Sequence, residues 1–434
     1  MSKVAHTPLH IGVLLYGCGH HQAAWLMEDS SIERVGDITY YQELAQLSEK
    51  GLLDAVFFAD NQSFPATTDR TMPAFWFDPI VNLTAISQAT THIGLVSTIS
   101  STFSNPYTVA RQLLSLDHIT GGRVGWNLVT SMTDLEAQNH SMTHLPDHAS
   151  RYAKAAAFAD VMDELLTSWS TDQFLADRTS KRILDSEHIT PFDYKDDYFQ
   201  VKGPLSTPQS PQHKPVAMQA GASKQGVALA AKHADAVYAV AWNMEQARSF
   251  RERIDTALRD IGDTRHIQIF PGLVTYVADT YEAALEKKAK LDAALPIEDA
   301  LKQLSFFVQQ DCTKWALDEP VPELPPLSEF TGPSGRYETI LNIIQDKQPT
   351  VRELLGYLNA GGGHLTLIGT PEMIVDEMEA WFNAGVADGF NLMPPTLPHS
   401  LEDFVTYVVP ELQKRGLYRT HYTGQTFREH LGLS

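Results

Sequence analysis

The sequence predicts an α/β fold, a (β/α)8 barrel carrying insertions, and three observations carry that prediction. Eight short β-rich runs alternate with amphipathic helical stretches. Several of the runs are apolar nearly throughout, as parallel strands buried on both faces must be. Polar residues gather at the C-terminal ends of the runs, where barrel enzymes keep their chemistry. An open doubly wound sheet is the competing arrangement, and eight such strands favour closure over it.

The first strand, LHIGVLLYG, opens into a loop bearing Cys18 and the adjacent His20 and His21. The helical YYQELAQLSEKGLL leads to DAVFFAD, a strand over Ala55 to Ala59 that ends abruptly in Asp60. After DPIVNLTAISQAT, the third strand runs from Ile93 into Ser97, Thr98, Ser100, Ser101 and Thr102. PYTVARQLLSLDHI is the next helix, stopped by Gly121 and Gly122, which permit the reversal into a strand at Val124–Val129. SRYAKAAAFADVMDELLTSW, PVAMQAG, SKQGVALAAKHA, DAVYAVAW, MEQARSFRERIDTALRDI and IQIFPGLVTYVA continue the alternation, and DGFNLMPP closes it.

Residues 1–434 therefore read as a single barrel domain with insertions at about 171–214 and 293–362. The first insertion is polar and ends in GPLSTPQSPQHKP, a surface connection. The second holds the Pro-rich DEPVPELPPLSEFTGPSGRY, the helix-like TVRELLGYLN and the flexible AGGGH, and suits a substrate lid.

Composition narrows the function. The 434 residues are 43% hydrophobic and carry a formal charge of −20 without a block of clustered Lys and Arg, which argues against nucleic acid or an anionic membrane surface. Two distant cysteines, Cys18 and Cys312, give neither a disulfide framework nor metal-ligand spacing. There is no signal-peptide pattern and no run of about 18 apolar residues, so a cytoplasmic location is expected.

Asp60 has the position of a site carboxylate, and equally of a loop-ordering cap. Asn127, Thr130 and Ser131 put polar side chains in or beyond an apolar strand, which is costly unless a ligand or a local network uses them. In QAGASKQG, a strand enters a Gly-containing turn and Ser223 opens a helix, the geometry of a phosphate site or of a plain N-cap. His148 and Tyr152 lie four apart at a helix start and share a face. Phe75, Trp76 and Phe77 form an aromatic cluster suited to a substrate wall or to core. Walker and GxGxxG patterns are absent in the required context, so a monophosphate suits the Ser223 turn better than a triphosphate or dinucleotide.

From YYQELAQLSEKGLLDAVFFAD through DHITGGRVGWNLVTS and VAMQAGAS to ADGFNLMPP and VPELQKRGLY, the chain resembles the nitrilotriacetate monooxygenase, pristinamycin synthase and dibenzothiophene-sulfone monooxygenase family. That family belongs to the bacterial luciferase-like superfamily of TIM barrels. The resemblance implies an oligomeric, two-component enzyme that receives FMNH2 from a separate NAD(P)H-dependent flavin reductase. It implies reaction with O2 through a C4a-peroxyflavin and oxygenation of a small organic substrate. Matched motif by motif, it places Asp60 and Thr98 near the flavin ring, His148 and Tyr152 in an H-x-x-R-Y element, and Ser223 on the phosphate; Asn127, a polar residue in its apolar strand, is then expected against the ring as well. Cys18 and His21 match a catalytic Cys and His of an alkane-oxidising branch. Met132 stands where that branch has a histidine, and TDLEAQNHSMTHLP departs from the commoner version, so neither mechanism nor substrate transfers. The rival readings are a deazaflavin-dependent oxidoreductase and a non-catalytic flavin-binding protein.

Overall fold

The computed structural model describes residues 8–64, 77–330, 334–359 and 362–433. Phe75 and Trp76 lie outside the described residues; Phe77 packs edge-on against Tyr41, 5.8 Å between ring centroids, on the rim of the main core.

Strands β1 (His10–Leu14), β2 (Ala55–Phe58), β3 (Gly94–Ser100) and β4 (Val124–Val129) are joined by α1 (Ile38–Lys50), α2 (Pro79–Ser87) and α3 (Pro106–Thr120). Each helix start has a built-in cap: Asp37, Asp78 and Asn105 accept from the first-turn N–H groups, and α2 and α3 begin with proline. Gly121 ends α3 in the left-handed region at φ 69°, as the sequence requires. Helices α4 (Asp134–Asn139) and α5 (His148–Leu166) follow β4.

The first insertion holds two hairpins ahead of its proline-rich end, β5 (Phe174–Asp177) with β6 (Arg182–Leu184) and β7 (Asp193–Lys195) with β8 (Gln200–Lys202). Its proline-rich end is pinned to the barrel. The buried Asp117 carboxylate accepts from Val124 N–H at 2.8 Å, from Gln212 Nε2 at 2.7 Å and from the Ser210 hydroxyl.

The barrel resumes with β9 (Val216–Gln219), α6 (Lys224–His233), β10 (Ala236–Ala239), α7 (Met244–Asp260), β11 (Gln268–Val277) and α8 (Tyr281–Ala293). Then comes the second insertion, with α9 (Ile297–Val308), α10 (Ser334–Lys347) and α11 (Val351–Asn359). The last segments are β12 (Leu365–Gly369), α12 (Pro371–Asn383) and β13 (Gly389–Leu392). All pairings in the main sheet are parallel, and it closes in the order β1-β2-β3-β4-β9-β10-β11-β13 and back to β1. Every strand expected from the sequence is a stave of this barrel.

Strand β12 was not expected. It pairs with the upper half of β11, Leu273 to Val277, which outruns its other neighbours. LTLIG is five residues long and follows a glycine run, so nothing local separates it from a connection. Helices α9 and α10 were also unexpected. The second insertion has its own core, in which Leu301, Leu304, Tyr337, Ile343, Leu354 and Leu355 bury one another. It is a helical cap seated over the barrel rim.

Candidate active site

The C-terminal ends of adjacent staves carry the sequence-predicted residues side by side: Cys18 and His21 after β1, Asp60 after β2, Thr98 on β3, Asn127 on β4 and Ser223 after β9. Thr98 and Asn127 are register partners, and Asn127 Nδ2 donates to Thr98 Oγ1 at 3.1 Å. Both are buried, and Asn127 Oδ1 has no partner. A buried amide oxygen left open is expensive unless a ligand donor meets it. The rest of the hydroxyl tract is structural: Ser100 bonds Ser131 at 2.8 Å, Ser101 donates to Val129 O at 3.0 Å, and Thr102 donates to Thr130 O at 2.8 Å. These bonds sew the ends of β3 and β4 together. Asp60 accepts from Gln62 Nε2 at 3.0 Å, and burial raises its pKa above the ordinary carboxylate range, with Asp78 and Glu136 adding to the effect.

Three further candidates meet at the start of α6. The His148 and Tyr152 rings lie 4.6 Å apart, and the Tyr152 hydroxyl sits 3.0 Å from where a side chain on Gly221 would begin. Gly221 opens the turn to Ser223, the α6 N-cap, whose Oγ accepts from Gly226 N–H at 3.1 Å. A methyl group on Gly226 would come within 3.0 Å of the Gly221 carbonyl, so the helix start and the turn touch backbone to backbone. First-turn N–H groups and the positive end of the helix dipole point out of that turn, beside a phenol and an imidazole. Free N–H groups in such a turn are the donors an oxyanion uses. The sequence reading missed Gln219, whose Oε1 accepts from Gly221 N–H at 2.9 Å and shapes the turn; its signal was a lone polar residue ending a strand.

The β1 loop treats its polar residues unequally. His21 is fully buried and locked: Nδ1 accepts from Ala23 N–H at 3.1 Å, so Nε2 carries the proton and donates to Asp292 Oδ1 at 3.1 Å. Asp292 also pairs with Lys288 on α8. Cys18 packs with Ala24 and Val35, and burial pushes its thiol up to about 11. His20 stacks on Tyr16 at 4.9 Å, and both of its ring nitrogens are buried without a hydrogen-bond partner.

A cavity of about 510 Å3 opens between this loop and the cap. His20 and His21 line it from the barrel, Phe307, Arg336 and Asn359 from the cap. Two hydrogen bonds join the sides: Gln22 N–H donates to Asn359 O at 3.0 Å, and Gln22 Nε2 donates to Gln303 Oε1 at 2.7 Å. Nothing in the sequence around Arg336 marked it as a wall residue, because its place depends on how the cap folds. Met132 is 86% exposed and stands away from the buried rim pair. TDLEAQNHSMTHLP forms α4 under a Thr133 and Glu136 capping box.

Residues 14–388 match the model of a family described as luciferase-like monooxygenase. The N-acetyl-S-(2-succino)cysteine monooxygenase of Bacillus subtilis is 37% identical over 427 residues, covering 98% of this chain and 96% of that protein. Nitrilotriacetate monooxygenase component A of Aminobacter aminovorans is 36% identical over 443 residues, covering 99% and 97%. Among solved structures, the EDTA monooxygenase of Chelativorans sp. BNC1 superposes with a TM-score of 0.83 at 31% identity, covering 99% of both chains. With its closed barrel, its rim of polar strand ends and similarity along its whole length, the chain belongs to the luciferase-like monooxygenase family.

Proposed function

We propose that this chain is the oxygenating component of a two-component system, taking FMNH2 from a separate flavin reductase and using O2 to oxygenate a small organic substrate. The observation that carries the reading is the buried Thr98–Asn127 pair on adjacent strands, whose Asn127 Oδ1 has no partner, and the Ser223 turn and the cavity beside His20 support it. The name of the Aminobacter relative, a component A, supports a partner protein.

FMN fits the residues present. The Ser223 turn suits its single phosphate, and the unpartnered Asn127 Oδ1 suits a ring N–H. Reduced FMN, when bound, supplies the two electrons that let O2 deliver one oxygen atom to the substrate. Ser223, Tyr152 and His148 hold the phosphate end. Thr98 and Asn127 orient the ring edge, and Asp60 stands beside them as a carboxyl that protonates more easily than a solvated one. His21, with both nitrogens held by Ala23 and Asp292, lines the cavity as a fixed wall, and Cys18 is a neutral thiol packed on Ala24 and Val35 in the same loop. The cap excludes water from the cavity, which favours productive over wasteful use of oxygen.

Anaerobic titration with photoreduced FMN tests the reading, followed by oxygen uptake with a substrate panel and a flavin reductase. Reduced FMN should bind, Ser223→Ala should weaken it about tenfold (~1.4 kcal/mol), and at least one substrate should couple oxygen uptake to an oxygenated product. Binding of a reduced deazaflavin in place of reduced FMN, or of flavin with no coupled product, would sink it.

A further inference from the structure

Several arginines of the described protein sit on carboxylates, although Arg151 has only the Pro146 carbonyl. Arg34 sits between Glu43 and Asp37, Arg251 on Asp388, and Arg428 on Asp235. Arg123, buried without a carboxylate, spends its donors on Thr90 Oγ1 and on the carbonyls of Ser87, Thr90, Ile93 and Thr120. Arg336 has neither solution. Among the described residues it makes one hydrogen bond, from Nη1 to Gly362 O, and no ion pair, while it lines the cavity with its guanidinium carbon 5.8 Å from the centre of the Phe307 ring. Burial lowers its pKa, with no carboxylate acting to raise it.

Two imidazoles share this environment. His20 has no partner on either nitrogen, and His364 none on Nδ1. His364 is close enough to Arg336 and His20 for both to oppose its protonation. Its ring occupies the space above Gly272 on β11, where any side chain would begin 2.2 Å from Nδ1. Thus a fixed positive charge and the neutral His20 ring line one cavity, with His364 close behind them and Asp299 the carboxylate on the α9 side, in a chain whose net charge is −20 and whose long-range field repels anions. A half-buried charge with no ion pair beside the unpartnered His20 ring is costly in the free protein. A ligand bringing the opposite charge offsets that cost.

We propose that the cavity binds a substrate bearing a carboxylate, held by Arg336 with His20 as its hydrogen-bonding neighbour. This deepens the oxygenase reading and rests on it: the acid group anchors the substrate under the cap and leaves its oxidisable part toward the β1 and β2 strand ends. The planar guanidinium fork, with one N–H group fixed on Gly362, keeps its remaining donors for a planar carboxylate.

Calorimetric titration, with and without oxidised FMN, tests this using nitrilotriacetate, N-acetyl-S-(2-succino)cysteine, their trimethyl esters and inorganic phosphate. We expect at least one acid to bind while its ester does not. Arg336→Gln should weaken the acid ~30-fold or more, with Arg336→Lys in between. Near-UV circular dichroism verifies that the variants fold, and His20→Asn, at a ring that lines the cavity, gives a second, charge-neutral variant that should also weaken the acid. Silence of both acids, equal binding of acid and ester, unchanged affinity in Arg336→Gln, or tighter binding of phosphate than of either acid each overturns the proposal. Turnover separates the two readings. If dibenzothiophene sulfone is oxygenated with reduced FMN while both acids are silent, the oxygenase stands and the acid site falls. If an acid binds through Arg336 yet reduced FMN supports no turnover, the reverse holds.

Discussion

His20 and His21 are neighbours in the chain with opposite fates. His21 has both nitrogens engaged, by Ala23 and Asp292, whereas His20 has neither, and burial pushes its pKa down to about 3. His364 is also held at about 3, by burial first and then by Arg336 and His20. The sign of the pH effect follows. Below about pH 6.5 the unfolded chain takes up protons that the folded imidazoles refuse, so stability is complete above that pH and is lost as pH falls toward 3. At pH 5 each histidine costs about 2 kcal/mol. Asp117, raised to about 6, works in the other direction, regaining stability as pH falls through 6, so only a comparison of variants isolates the histidines. Urea midpoints of His20→Gln and His364→Gln should therefore fall less between pH 7.5 and pH 5 than the wild-type midpoint. Parallel pH dependence in all three proteins would refute the assignment.

The elements show why some of this was readable in sequence and some was not. Strand ends announce themselves locally: AVFF stops at Asp60, and QAGAS passes from strand to helix cap within a few residues. The order of staves then brings those ends together with no further information, since parallel βαβ units place consecutive strands side by side. The cap obeys no such rule. Arg336, Asn359 and α9 reach the cavity only because the cap's apolar faces find one another, a tertiary event with no fixed spacing. The choice between His20 and His21 was equally illegible, because it depends on Asp292, 271 residues away from His21. The turn before α6 can be tested alone. Gly226→Ala gains helix propensity of about 1 kcal/mol, but its methyl meets Gly221 at 3.0 Å, backbone against backbone. We expect reduced-FMN affinity to drop about tenfold (~1.4 kcal/mol) with little change in thermal midpoint. Unchanged affinity would remove the turn from the flavin site.

At the scale of the whole molecule, the two mouths of the barrel are finished differently. The C-terminal mouth carries the site under the helical cap; the N-terminal mouth is sealed by the end of the chain. Phe427, fully buried, lies against Gly94 and Gly125 on β3 and β4 and joins the cluster of Val96, Val216 and Phe270. Around it, Arg428 pairs with Asp235 at 2.9 Å, Gln268 Nε2 donates to Leu431 O at 2.6 Å, and Arg419 bonds Asp54, which also takes His10 at 3.0 Å. In barrels of this kind the N-terminal face serves stability and the C-terminal face chemistry. Phe427→Ala removes a ring from the seal and leaves the rim from Asp60 to Ser223 untouched. It should cost roughly 3–5 kcal/mol of unfolding free energy. At temperatures where the variant stays folded, reduced-FMN affinity and substrate kcat/KM should match wild type. Denaturant unfolding with steady-state kinetics measures both quantities. A fall in kcat/KM without loss of stability would show that the two mouths are coupled and that the division of labour is wrong.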